Sequence, residues 1–325
     1  MQRLVSFDIA KAICIMLVVI GHYVPDYAPG WYNDMHDVIY TFHMPLFMFA
    51  SGFIYMTTKK DIPYKDFLWK KVKRLMVPYL SVSAIVITIK LLTEGHAYVE
   101  NPVTWMSYVK MLYLPEAGYF LWFIWALWWM FVIFPLFKTR QMRLGLFVLA
   151  IVLHYIPNFL PDIFCLSQFQ GMLVYFTLGV VCCDWKRQIS FVSNVPTWCV
   201  LGCFALAESL KLMKLGGAIS MFLPYIGITA VMALSSHLGK LNFKANGWLI
   251  VVSSSSYIIY LFHTTFEGFA KAFIHKMPFF VDSYNVFLFA IDAMFVVACG
   301  IICPILLHRY VLCKSKITKT MFGLK

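Results

Sequence analysis

Three histidines, a lysine and an aspartate set into apolar stretches are the residues of this chain best able to do chemistry. Lys11 and His22 bracket the end of the run FDIAKAICIMLVVIGH, Phe7 to His22. In an α-helix their eleven-residue separation turns through about 1100°, about 20° past three whole turns. Both side chains therefore fall on one face, about 16 Å apart along the axis. Asp8 stands three residues before Lys11, the spacing of an i, i+3 pair that would orient the ammonium. His43 opens the next apolar run, and His263 lies in a late one with Glu267 one turn beyond it. Imidazoles change charge near neutral pH. Several gathered at one depth, with carboxylates to orient them, suit general-base or proton-relay chemistry.

Other chemistries lack their signatures. His22, His43 and His263 show no HxxxH or HExxH spacing, so no metal site is expected from them. No P-loop and no G-x-S-x-G elbow occurs, which argues against ATP-driven transport and against a serine hydrolase. His36, His96, His154, His237, His275 and His308 read as interfacial residues near helix ends. Glu208, Glu267 and Asp292 also lie within apolar runs. Packing hydrogen bonds and catalysis are both open for Glu267 and Asp292.

The elements that must position these groups are membrane helices. Of the 325 residues, 61% are hydrophobic and 13% charged, and the mean hydropathy is +0.76. A soluble domain is about a quarter charged, so the composition predicts an all-α polytopic membrane protein. Its 30 Phe, 18 Tyr and 10 Trp fit helix ends at headgroup level. Ten spans are expected, at 7–24, 38–57, 75–92, 119–137, 144–157, 169–184, 192–210, 216–235, 248–270 and 285–307. The ninth requires Ser253 to Ser256 to turn their hydroxyls inward. Residues 102–114, with Trp105, Tyr108 and Tyr113, read as an interfacial helix. No low-complexity linker or fixed-period repeat divides the chain, so residues 1–325 are expected to form a single domain. No cleavable signal peptide is expected from the first apolar run.

Charge sets the predicted orientation. With the N-terminus cytoplasmic, only Lys90, Lys110, Lys211, Lys214, Lys271 and Lys276 of the 27 Lys and Arg fall to outer segments. The rest lie inside, densest from Lys59 to Arg74, and both termini are then cytoplasmic. The net charge of +12 thus reflects topology and not a nucleic-acid partner. The Lys59–Arg74 stretch is a positive-inside segment that could also attract an anion. In this topology Lys11 lies in the inner half of its span, while His22, His43 and His263 lie in outer halves, as do His154, Glu208 and Asp292. The nine cysteines read as small buried hydrophobes.

Several motifs resemble those of the acyltransferase-3 family of integral-membrane O-acyltransferases. Phe7-Asp8-Ile9-Ala10-Lys11, running to Gly21-His22, is similar to the family's first helix, in which a basic residue precedes histidine by ten intervening residues. Lysine here stands where the family usually has arginine, which keeps the charge without the guanidinium fork. His43-Met44-Pro45-Leu46-Phe47, ending in Ser51-Gly52-Phe53, resembles the family's second span. Lys73-Arg74-Leu75-Met76-Val77-Pro78-Tyr79, Trp122-Phe123-Ile124 and Ser256-Tyr257 to Tyr260-Leu261-Phe262-His263 are similar to three later family segments, in the expected order.

The resemblance implies transfer of an acyl group, usually acetyl from cytoplasmic acetyl-CoA, to a hydroxyl of a cell-surface or lipid-linked glycan. It implies a multi-pass protein of the cell inner (plasma) membrane. Lys11 and Arg74 are then expected at the coenzyme A phosphates, with Asp8 orienting Lys11. His22 is expected as base or transient acyl acceptor, His43 to assist or stabilise charge, and His263 to position the acceptor. The competing expectation is a glycan or lipid transporter, or flippase, whose histidines relay protons. Such proteins often show two related halves, and none is evident here.

Overall fold

The computed structural model describes residues 5–94, 101–185, 195–215, 217–241, 246–274, 276–277 and 286–324. Regular structure among them is helical throughout. Arg3, His96, Lys186, Arg187, Lys244 and His275 lie outside the described residues.

Seven helices are long and apolar enough to cross a membrane: α1 (Val5–His22), α2 (Gly30–Thr57), α3 (Tyr64–Thr93), α4 (Tyr119–Leu136), α6 (Ile163–Asp184), α9 (Gly247–Ile274) and α10 (Val286–Leu312). Three more helices occupy predicted spans: α5 (Arg140–Tyr155), α7 (Thr197–Leu212) and α8 (Leu223–Lys240). Two of these are only 16 residues long, and α8 ends in the polar pair His237 and Lys240. A short final helix, α11, spans Lys316–Met321.

Two stretches differ from expectation. The third helix begins at Tyr64, well before the predicted residue 75, because the basic stretch is itself helical. Pro63 precedes it, Asp66 lies in its first turn, and Lys70 and Lys71 lie toward the end of that segment, as the helix dipole favours. A π-helical turn over Val72–Met76 then joins this segment to Val77–Thr93. The basic side chains lie along aromatic faces: Lys71 Nζ is 3.4 Å from the Phe131 ring centroid and Lys73 Nζ 5.3 Å from that of Trp69. In such contacts the ammonium is drawn to the negative face of the aromatic ring. In the predicted interfacial stretch, only Ser107–Lys110 is helical. Pro102 and Pro115 restrict it at both ends. The buried Tyr79 hydroxyl instead ties the rest down, donating to Met111 O at 2.7 Å and Leu114 O at 2.9 Å.

The chain divides into two compact units, Met1–Ser51 with Trp185–Ile305, and Gly52–Asp184 with Leu306–Lys325. In the first, named contacts fix every helix direction relative to α1. Asp8 meets Ser253 and His22 meets His263, so α9 runs parallel to α1. Gly21 meets Tyr40, Cys14 donates to His43 O, and Phe7 stacks on Phe49, so α2 runs antiparallel. Tyr23 meets Asp292 and Val19 lies against Gly300, so α10 is also antiparallel. Gly239 beside Val5 and Gly227 beside Phe42 make α8 antiparallel too. On α2, Phe42, Thr41 and Asp37 meet Phe204, Glu208 and Lys211 in turn, so α7 is parallel to α1. Directions alternate through the unit.

In the second unit α5 and α6 pack antiparallel. Arg143, buried, pairs with Asp184 at 2.7 and 3.0 Å and donates to Lys138 O at 2.7 Å. At the other end the His154 Nδ1–H donates to Gly171 O at 2.8 Å, and the Tyr175 hydroxyl donates to its Nε2 at 3.2 Å. His154 thus makes packing hydrogen bonds between α5 and α6. Gly52 lies against α6 so closely that a Cβ would stand 2.1 Å from Phe176 O. Small residues permit such approach where lipid offers no hydrophobic drive. Gly52→Ala must push backbone from backbone, and we expect a loss of thermal stability of about 1–3 kcal/mol. Gly171→Ala, with nothing near its Cβ, is the matched control. Equal melting temperatures of the two purified variants would refute the close-packing account.

Candidate active site

The predicted residues of the first unit assemble on the face of α1 that looks toward α9. At the start of α1, Lys11 Nζ pairs with Asp8 Oδ1 at 3.1 Å, the predicted i, i+3 contact. Ser253 on α9 donates to the same Asp8 oxygen at 3.2 Å. Lys11 keeps 27% of its side-chain surface exposed, so the cation is held at one point and open at another. Of the serine run, Ser253 and Ser255 are buried, while Ser254 is exposed and donates to Val251 O at 2.8 Å. The hydroxyls alternate because a helix presents successive residues to different sides.

At the other end of the same seam, the His22 and His263 rings lie 4.9 Å apart between centroids, tilted by 58°. His22 is half-buried, whereas His263 is fully buried and His43 nearly so. His263 Nδ1–H is held by Tyr260 O at 2.9 Å and Ile259 O at 3.1 Å. His43 Nδ1–H donates to Ile39 O at 2.8 Å. With Nδ1–H committed to backbone, each neutral ring carries its lone pair on Nε2. The backbone of each histidine's own helix therefore sets its tautomer.

Tyr40, absent from the predicted set, links the two histidines of α1 and α2. Its ring centroid is 4.7 Å from that of His43, and its Cε2 would stand 2.9 Å from a Cβ at Gly21, next to His22. Glycine at 21 is what lets the tyrosine in. Its spacing, three residues before His43 and four after His36, was the available signal, since i, i+3 and i, i+4 residues meet on a helix. The His36 ring centroid does lie 4.1 Å from that of Tyr40.

Three further carboxylates of the first unit are buried. Asp292 Oδ2 accepts hydroxyl hydrogens from Tyr23 and from Tyr27, the latter at 2.7 Å, while Oδ1 has no partner among the described residues. Tyr23 directly follows His22, so this contact pins the end of α1 to α10. Glu267, also buried, lies 3.0 Å from the Cβ that Gly300 lacks. Glu208 accepts from Thr41 Oγ1 at 2.6 Å, a packing bond between α7 and α2. Arg74 belongs to the second unit and is exposed on the π-helical turn Val72–Met76.

Among the described residues, then, the helices gather Lys11 at one end and three imidazoles at the other, where Lys271 Nζ also lies 5.3 Å from the Tyr23 ring centroid, with tyrosines between and beside them. That set can hold an anion at one end and move protons at the other.

The sequence matches the family model described as Acyltransferase domain over residues 4–309. It is 32% identical over 100 residues to the Nodulation protein NolL of Sinorhizobium fredii, covering 29% of this chain and 27% of the relative. To the Nodulation protein NolL of Mesorhizobium japonicum it is 32% identical over 94 residues, covering 27% and 25%. The match thus spans about a quarter of the length of these curated relatives. No solved structure matches.

The Asp292 cluster yields its own test. Asp292→Ala removes the acceptor shared by two phenols that lie 3.2 Å from each other; one can still donate to the other, and the remaining unmet donor costs about 1–3 kcal/mol. We expect a lower melting temperature for Asp292→Ala than for Tyr27→Phe, which removes one donor and keeps the acceptor engaged. The reverse order in a thermal-unfolding assay would remove Asp292 as the anchor.

Proposed function

The chain belongs to the acyltransferase family whose model it matches over residues 4–309. From that premise we propose that it moves an acetyl group from cytoplasmic acetyl-CoA to a hydroxyl of a cell-surface or lipid-linked glycan. The observation that carries this reading is the α1–α9 seam, with an ion-paired lysine at one end and facing imidazoles at the other.

Lys11, oriented by Asp8, receives a phosphate of the donor from the cytoplasmic side. Arg74 is assigned as a second cation for the donor phosphates on the strength of its sequence context. The pantetheine arm then carries the thioester toward His22. His22 removes the proton from the acceptor hydroxyl as its oxygen attacks the thioester carbonyl carbon. A carbon–oxygen bond forms, the oxyanion collapses, the carbon–sulfur bond breaks, and the leaving thiolate takes the proton back from the imidazolium. In the alternative sequence His22 attacks the thioester carbonyl carbon first and coenzyme A leaves as the thiolate. The acceptor hydroxyl then attacks the acyl-imidazole carbonyl, the carbon–nitrogen bond breaks to release the imidazole, and the hydroxyl proton ends on the thiolate. His43 stabilises developing charge, and His263 positions the acceptor and the His22 ring.

We further propose ten spans, cytoplasmic termini, residence in the cell inner (plasma) membrane, and one catalytic domain over residues 1–325. The alternating helix directions of the first unit support the topology. The division between the units falls inside α2 and α10, which supports a single domain. Family membership favours the enzyme over the transporter.

Membranes containing the protein, incubated with labelled acetyl-CoA, should transfer label to a glycan fraction. His22→Ala should lower that transfer by about 10²- to 10⁴-fold, the usual worth of general-base catalysis, while the protein stays folded and inserted. Wild-type activity in His22→Ala removes it from the mechanism. Lys11→Ala should raise KM for acetyl-CoA by about tenfold, a loss of about 1.4 kcal/mol, whereas Lys11→Arg should remain near wild type. An unchanged KM in Lys11→Ala counts against the phosphate assignment.

A further inference from the structure

The segment after α10 folds back onto the entry of α3, beyond the residues matched to the family model. Ser315 caps α11 by accepting the Ile317 N–H at 3.2 Å. The helix packs against Val77–Thr93, Thr318 donates to Leu312 O at 2.7 Å, and Phe322 is buried. The chain then turns at Gly323, which has φ +61°. Glycine adopts that left-handed conformation at the least cost.

Gly323 packs directly against the basic turn. A Cβ there would lie 2.9 Å from Arg74 O, 2.9 Å from Pro78 Cγ and 3.2 Å from Arg74 Cα. In an α-helix the Arg74 carbonyl would take its hydrogen bond from residue 78, and Pro78 has no N–H to give. The helix widens here instead: the Val77 N–H reaches back five residues to Val72 O. Such π-turns recur at functional sites because they re-aim side chains. This one carries Lys73 and Arg74.

We propose that residues 315–324 brace the π-turn Val72–Met76, making Gly323 a positioning residue for Arg74 and, through it, a determinant of acyl-donor affinity. The second half rests on the reading of Arg74 as a donor-phosphate cation. Gly323 supplies both the sharp turn and the missing Cβ. No other residue type meets both requirements, because a side chain at that φ is strained and would also strike backbone.

The test uses the full chain in nanodiscs. Gly323→Val should speed hydrogen exchange of the backbone amides of residues 72–79 by about tenfold, as for a segment that opens locally. It should raise KM for acetyl-CoA by about fivefold with kcat within about twofold of wild type. Should Gly323→Val fail to fold, Gly323→Asn, which tolerates the left-handed region but adds a Cβ, should show the same changes more weakly. Gly202→Val, at a helical glycine with open space around it, should leave the exchange of residues 72–79 as it was. Unchanged exchange in the Gly323 variants overturns the brace. Faster exchange with unchanged KM overturns the link to donor affinity. Arg74→Ala separates the two readings: if its KM for acetyl-CoA is unchanged, the donor role of Arg74 falls, and the exchange measurement alone decides the brace.

Discussion

The first unit depends on the parallel contact between α1 and α9. Two anchors define it, Asp8 with Ser253 near one end and His22 with His263 at the other. In hydrocarbon, helices gain little from burying leucine against leucine, so close approach at small residues must do the holding. The glycines supply it around α1. Gly21 admits Tyr40 from α2, Gly300 brings α10 against Val19, and Gly239 brings α8 beside Val5 and Ile9. With neighbours on so many sides, α1 cannot rotate about its axis without breaking several contacts at once. Its polar face is thereby locked toward α9, and a polar side chain in a membrane interior needs such a fixed partner.

The alternation of helix directions has a consequence for topology. A chain that crosses the membrane at every span reverses direction each time. Since α2 is antiparallel to α1 and α7 is parallel to it, the number of crossings between α2 and α7 must be even. Four helices, α3, α4, α5 and α6, lie between them in the chain; three are long and apolar enough to cross a membrane, and α5 carries Arg140 and Arg143 in its first turns and has only 16 residues. A short helix can still cross if its basic residues reach the headgroups. The relative directions of the helices in the first unit come from residues other than the lysines and arginines on which the proposed orientation rests.

Much of the candidate site was legible because a helix converts spacing into direction. The separation of Lys11 and His22 predicted one shared face, and both ends of that face are turned to α9. Asp8 and Lys11 pair as an i, i+3 contact should. At Gly52 a small residue admits the backbone of Phe176, as small residues within spans do. What stayed hidden was pairing between helices. Nothing in the local pattern says that Tyr23 and Tyr27 find Asp292, or that His154 finds Gly171 and Tyr175. Periodicity gives the face but not the neighbour. The start of α3 was hidden for a different reason. Seven lysines and arginines between Lys59 and Arg74 read as loop by charge, yet lysine is a good helix former, and aromatic rings at Phe67, Trp69 and Phe131 draw the ammonium groups of Lys71 and Lys73.

The three imidazoles are not equivalent, and the difference comes from the backbone beneath them. His43 and His263 each donate Nδ1–H to carbonyls one turn back in their own helices. A side chain that bonds its own preceding turn needs no other element to choose its tautomer. Those two rings are therefore fixed in direction and buried, well suited to presenting Nε2 to a partner that comes to them. His22 is the last residue of α1, where no further turn follows, and it is half-buried. Its position is fixed by what surrounds it: the His263 ring on α9, and the anchor of Tyr23 to Asp292 one residue later. A group that must receive a proton and release it within one turnover needs access as well as orientation. In the proposed mechanism that group is His22, the only one of the three that is partly exposed.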